Sequence, residues 1–225
     1  MSVEGAAVSP AMTFVPVEKF PDLPTFLNDI PAGDVHHHRD LEFQDKNGLR
    51  INGQQFNDHV VNQTMQLNAV EEWTVSNLDA DKEHPFHIHI NPFQIVEVFQ
   101  PQNADTQKGG KCPADPTDPG TWKPCTAQLH NFEWWDTFAI PGSRQETVPQ
   151  ACSALTKFPP SMQNLLTSTG AATCQVTIPG HFKLRTRFVD FTGQYVLHCH
   201  ILTHEDRGMM ELIQVVSGYS PYTHH

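Results

Sequence analysis

The chain has 225 residues, 38% hydrophobic and 17% charged, which suits one large globular domain or two small ones. Its formal net charge is −11 with only 14 Lys and Arg, which argues against nucleic acid or an anionic membrane as a partner. No apolar run is long enough to span a membrane as a helix, and the start, MSVEGAAVSPAM, lacks a basic, apolar-cored leader.

Residues 1–39 read as a Pro-rich linker or N-terminal extension, with Pro10, Pro16, Pro21, Pro24 and Pro31 and little periodicity. His36, His37 and His38 follow; only His36 and His38 share a strand face, and a polar strand start at a domain edge is the expectation. Residues 40–218 read as one β-domain. LEFQ from Leu41, LRING from Leu49 and MQLNAVEEWTVSNL from Met65 are strands, with turns at Asp45 to Gly48 and at Asn52-Gly53. Trp73, Val75 and Leu78 are core candidates; His59 is a surface residue. Asn62-Gln63-Thr64 is a sequon that has meaning only in a eukaryotic secretory setting.

A histidine-rich strand, HPFHIHINPF from His84 to Phe93, continues through residues whose Phe93, Ile95, Val96 and Val98 should pack inward. Pro101 to Cys125 is a long loop of Pro, Gly and Asp. Lone His130 is expected to be structural or at the surface. Trp134-Trp135-Asp136-Thr137 begins another strand, where the Asp136 carboxylate is expected to bind nearby backbone. Pro149 to Pro179 is a second excursion with a short helix around Ser161 to Leu166. HFKLRTRFVDF from His181 alternates as a half-buried strand headed by an exposed His181. YVLHCHILTHEDRGMM, from Tyr195 to Met210, precedes a closing strand, MELIQVV, and a tail at 219–225. Seven or eight strands without a βαβ rhythm make this an all-β sandwich with long loop insertions.

Five cysteines are present. Cys112, Cys125, Cys152 and Cys174 form an even set, and proximity favours Cys112 with Cys125 and Cys152 with Cys174, hence an oxidising compartment, secreted or periplasmic. The fifth, Cys199, belongs to a different chemistry. Alternate strand residues share a face, so His198 and His200 point one way and Cys199 the other. His87 and His89 likewise share a face, with His84 opposite them. One set is then Cys199, His84, His204 and a methionine just beyond; the other is His87, His89, His198 and His200. Two imidazoles, a thiolate and a weak thioether are the donors of a blue-copper site, and an all-imidazole set suits copper, zinc or iron.

The motifs H-P-x-H-x-H at His84 to His89 and H-C-H-x3-H-x4-M at His198 to Met209, framed by WTVSNL and GQYVLHCH, resemble the C-terminal cupredoxin domain of multicopper oxidases over roughly residues 40 to 216. That family includes laccases, bilirubin oxidases and spore-coat-type laccases. The resemblance implies a Greek-key, cupredoxin-like sandwich. It implies type 1 copper on His84, Cys199, His204 and Met209, and the type 2/type 3 cluster on His87, His89, His198 and His200. Cys199, His198 and His200 would carry electrons, and Glu205 would be a proton relay or a hydrogen-bond acceptor. The implied reaction is one-electron oxidation of a phenol or aromatic amine coupled to reduction of dioxygen to water. A full cluster in the family needs four His-X-His motifs, and two are placed here. The rest would come from another subunit of a homo-oligomer or from N-terminal cupredoxin domains. A single blue-copper electron-transfer module and an inactive excised domain are the alternatives.

Overall fold

The computed structural model of the chain describes residues 22, 24–46, 48–80, 82–101, 115–122 and 133–218. Pro10, Pro16 and Pro21, Cys112 and Cys125 with their expected disulfide, His130 and the 219–225 tail lie outside the described residues.

Fourteen strands are present among the described residues. A six-stranded sheet holds β1 (His37–Gln44), β2 (Arg50–Ile51), β4 (Val70–Asn77), β6 (Phe93–Phe99), β7 (Trp134–Trp135) and β12 (Gly180–Arg187), in the order β2-β1-β4-β12-β6-β7. A five-stranded sheet holds β3 (Val61–Gln66), β5 (His84–Ile88), β8 (Thr137–Ile140), β13 (Gly193–Cys199) and β14 (Met210–Val216), in the order β3-β14-β13-β5-β8. In these two sheets β1 and β2, β6 and β7, and β13 and β14 are sequence neighbours that pair directly, while the remaining pairings join strands distant in sequence, so the chain crosses repeatedly between the two sheets.

Alternation explains why the two sheets face each other. β12 buries every second residue, and β5 buries His84, Phe86 and Ile88 while His87 stays half-exposed. Leu41, Phe43, Trp73, Val75, Phe86, Phe93, Phe182, Leu197 and Ile213 meet in one core cluster that also contains Cys199 and Met209. Each fully buried large apolar side chain stabilises such a core by about 1.5–3 kcal/mol. Leu78 is only partly buried and belongs to a second, smaller cluster. On β6 the pairing with β12 shifts between Lys183 and Leu184. The shift upsets the parity: Phe93 and Ile95 are buried, Val96 and Val98 only partly, and Phe99 joins the second cluster.

The second excursion is more ordered than its composition suggests. β9 (Arg144–Val148), β10 (Leu166–Gly170) and β11 (Thr173–Ile178) form a third sheet, ordered β10-β11-β9, with a 3-10 turn over Pro160–Leu165. A disulfide joins Cys152 to Cys174 beside Leu155, Phe158 and Val176. The end of the leading segment is docked: Arg187 donates to the carbonyls of Phe26, Asn28 and Asp29, and Trp134 Nε1 donates to Leu27 O at 2.8 Å. His181, expected to be exposed, instead lies against Phe99, with Nε2 3.2 Å from Glu97 Oε1. His59 is exposed, and His37 opens β1 as a polar strand start.

Candidate metal centre

Cys199 ends β13, where its register is held by Phe86 of β5 and by its own N–H donating to Met209 O at 3.0 Å. Its side chain is fully buried, and its Sγ lies 3.6 Å from His84 Nδ1 and 3.6 Å from His204 Nδ1. Sulfur and nitrogen donors of one ion, at about 2.3 and 2.0 Å from it and about 110–120° apart, are separated by about 3.6 Å. The three groups therefore fit one metal ion. Burial pushes the Cys199 thiol up to about 11, so ion binding would release its proton. Burial lowers the proton affinity of His204, which keeps the imidazole neutral and its lone pair available.

His84 comes from β5 and His204 from a single helical turn, α1 (Leu202–Glu205). His84 is fully buried; His204 is half-buried and presents an edge to solvent. His84 Nε2 donates to Asp79 Oδ2 at 2.8 Å, which leaves Nδ1 facing the sulfur. Burial opposes the Asp79 negative charge, but hydrogen bonds from His84 and Asp45 outweigh it and hold the carboxyl below its usual range. The turn from His204 to Met209 is closed by Met209 N–H donating to His204 O at 2.9 Å, and Met209 is fully buried.

The opposite face gathers the remaining imidazoles. Ring centroids of His87, His89, His198 and His200 lie 5.0–5.5 Å from their neighbours. His89 Nε2 and His198 Nε2 are 3.2 Å apart, close to the ~3.3 Å between two nitrogens bound to one ion at about 2.0 Å. His87 Nδ1 lies 2.8 Å from both Asp136 O and Thr137 Oγ1. A carbonyl can only accept, so His87 carries its proton on Nδ1 and offers Nε2. Burial lowers the proton affinity of His89 and of His198. Glu205 Oε2 is 3.3 Å from His198 Nδ1. This face opens into a cavity of about 430 Å³ lined by His87, His89, Ile90, Asn91, Pro92 and Asp136.

The structure thus brings His84, Cys199 and His204 into one group and His87, His89 and His198 into another, with His200 at the edge of the second. Asp136 meets the site through its backbone carbonyl, while its side chain is exposed, unlike the carboxylate role expected from sequence. Asp79 was not anticipated: it follows a strand in an ordinary Asn-Leu-Asp turn and carries no motif. Thr137 was visible only as part of a strand pattern.

Comparisons with known proteins place the chain in a family. The multicopper oxidase family profile matches residues 29–152 and 153–218. A rice protein named multicopper oxidase LPR1 homolog 3 is 32% identical over 166 residues, 72% of this chain and 27% of that protein. Multicopper oxidase mco of Staphylococcus aureus is 25% identical over 179 residues, 78% of this chain and 26% of that protein. This chain therefore spans about a quarter of the length of these relatives. Among solved structures, a laccase from Pediococcus acidilactici aligns with a TM-score of 0.48 at 20% identity, covering 88% of this chain and 31% of that one.

Proposed function

Because the chain belongs to the multicopper oxidase family, we propose that it is a laccase-like oxidase unit, taking electrons one at a time from a phenol or aromatic amine and delivering them to dioxygen. The observation that carries this reading is the 3.6 Å spacing of Cys199 Sγ from both His84 and His204, with His198 and His200 bonded directly to that cysteine's backbone. The donor set fits copper better than zinc, because thiolate, two imidazoles and a nearby thioether are blue-copper donors.

His84, Cys199, His204 and Met209 would hold type 1 copper, and His87, His89, His198 and His200 this chain's share of the type 2/type 3 cluster. Bound copper supplies one-electron redox chemistry at the first group and dioxygen reduction at the second. His204 offers the half-exposed edge at which a flat aromatic reductant can approach. Cys199 faces away from solvent, so its sulfur is shielded from oxidation by bulk reagents. His198 Nδ1 donates to Cys199 O at 3.2 Å, which orients that ring; the part-exposed Glu205 carboxylate, 3.3 Å from the same nitrogen, is where a proton can pass from solvent toward the imidazole face.

Residues 40–218 would form the copper-bearing unit, led in by 1–39 and followed by a 219–225 tail. The Cys152–Cys174 disulfide supports a secreted or periplasmic setting. The missing imidazoles would come from a second copy or from N-terminal cupredoxin domains. The outward exposure of His89 and His200 also suits a second reading, a single blue-copper electron carrier. Cys199→Ser should abolish the intense thiolate-to-copper absorption and oxidase activity together. Survival of that absorption in the variant would refute the assignment.

A further inference from the structure

The hydrogen bonds behind His84 lead to a residue that no motif contains. We propose that Asp79 is the positioning residue of the His84–Cys199–His204 site, one carboxylate oxygen fixing the tautomer, aim and donor strength of His84. The proposal rests on the copper reading given above.

Asp79 Oδ2 accepts from His84 Nε2 at 2.8 Å and from the Asp45 N–H at 2.7 Å. His84 is fully buried and Asp79 only 8% exposed, so water competes little for this contact. The carboxylate is itself braced. Asp79 N–H donates to Asn77 Oδ1 at 2.8 Å, and Asp79 O accepts from Ser143 N–H at 2.9 Å. Asn77 Nδ2 donates to Lys82 O at 2.8 Å, and Ser143 Oγ donates to Leu78 O at 2.9 Å. The loop between β4 and β5 is therefore held at several points, and its Asp79 side chain is aimed at the imidazole.

An anionic acceptor on Nε2–H has consequences a neutral one lacks. It keeps the proton on Nε2, so Nδ1 stays free toward the sulfur. It also makes the ring a stronger electron donor, which favours the more highly charged metal state. An amide in the same place keeps the shape and loses the charge.

The test compares Asp79→Asn with Ser143→Ala in the full chain. Ser143→Ala removes a brace of the same loop and leaves the carboxylate in place. Metal-free melting, copper(II) affinity by chelator competition, the thiolate-to-copper absorption and the reduction potential are measured for both. Asp79→Asn should bind copper(II) about 10–100-fold more weakly. Its preference for copper(II) over copper(I) should fall about tenfold, a rise of about 59 mV in potential. Ser143→Ala should leave both values near wild type. If Asp79→Asn melts lower, the potential still decides, because lost folding stability weakens both oxidation states alike. An unchanged potential in Asp79→Asn, or an equal shift in Ser143→Ala, overturns the proposal alone. A wild-type chain without the thiolate-to-copper absorption overturns the copper reading and this proposal with it.

Discussion

Glu97 shows how a single carboxylate can couple strand packing to pH. Its Oε1 lies 3.2 Å from His181 Nε2 and from Lys183 Nζ, all three on the outer side of the six-stranded sheet. The His181 hydrogen bond, and then the Lys183 charge, hold the Glu97 carboxyl below its ordinary value. A depressed folded-state value adds stability above the unfolded-state value, about 4.3 for Glu. That stability is lost as pH falls through the lower, folded value. Glu97→Gln should therefore be less stable than wild type at pH 6, by about 0.2–1 kcal/mol after discounting for solvent screening. The gap should close below about pH 4. Urea unfolding at a series of pH values checks this, and a gap that widens on acidification would contradict it. His181 also marks a limit of sequence reading. Its position at the head of a strand suggested solvent, but its partners, Glu97 and Phe99, come from a strand more than eighty residues away.

At the scale of elements, the two groups of candidate donor residues were separable because parity on a strand is a local rule. His84 opposite His87 and His89, and Cys199 opposite His198 and His200, needed only alternation, and the burial pattern of β5 follows it. The third sheet was not legible, because β9 and β10 are short and mostly polar and are organised, with the alternating β11, by a disulfide and a small second core. The turn from His204 to Met209 could be placed but not shaped. Gly208 there has φ +95°, and a Cβ on it would stand 3.3 Å from the Phe56 backbone nitrogen. Gly208 N–H donates to Glu205 O at 3.0 Å, and Phe56 N–H to Gly208 O at 3.0 Å. Gly208→Ala should cost about 1–3 kcal/mol in the metal-free chain, the price of a side chain in a left-handed conformation. It should also weaken copper(II) binding, because the same turn sets His204 and Met209. Denaturant unfolding and copper competition measure the two effects, and a variant with wild-type values in both would show that the turn adapts freely.

Across the whole molecule the two donor groups differ in completeness. His84 and Cys199 are fully buried within this chain and His204 is half-buried beside them, while His87 and His89 line an open cavity and His200 is exposed. Exposed Ile90 and Leu202, at 50% and 68%, sit next in sequence to His89 and near His200, an apolar flank suited to burial against another protein surface. Strand parity could not show which surface that is, since alternation places side chains within one sheet and not across an interface. Copper content should follow this division. As a monomer the chain should bind about one tightly held copper, with the thiolate-to-copper absorption and no oxygen uptake. When assembled with a surface that supplies further imidazoles, bound copper should rise above one per chain, and oxygen uptake should appear and depend on His87 and His200. Metal analysis and oxygen consumption on fractions of measured mass separate these states. Oxygen uptake in a monomeric fraction that holds more than one copper per chain would contradict the division, because four imidazoles on one open face would then suffice.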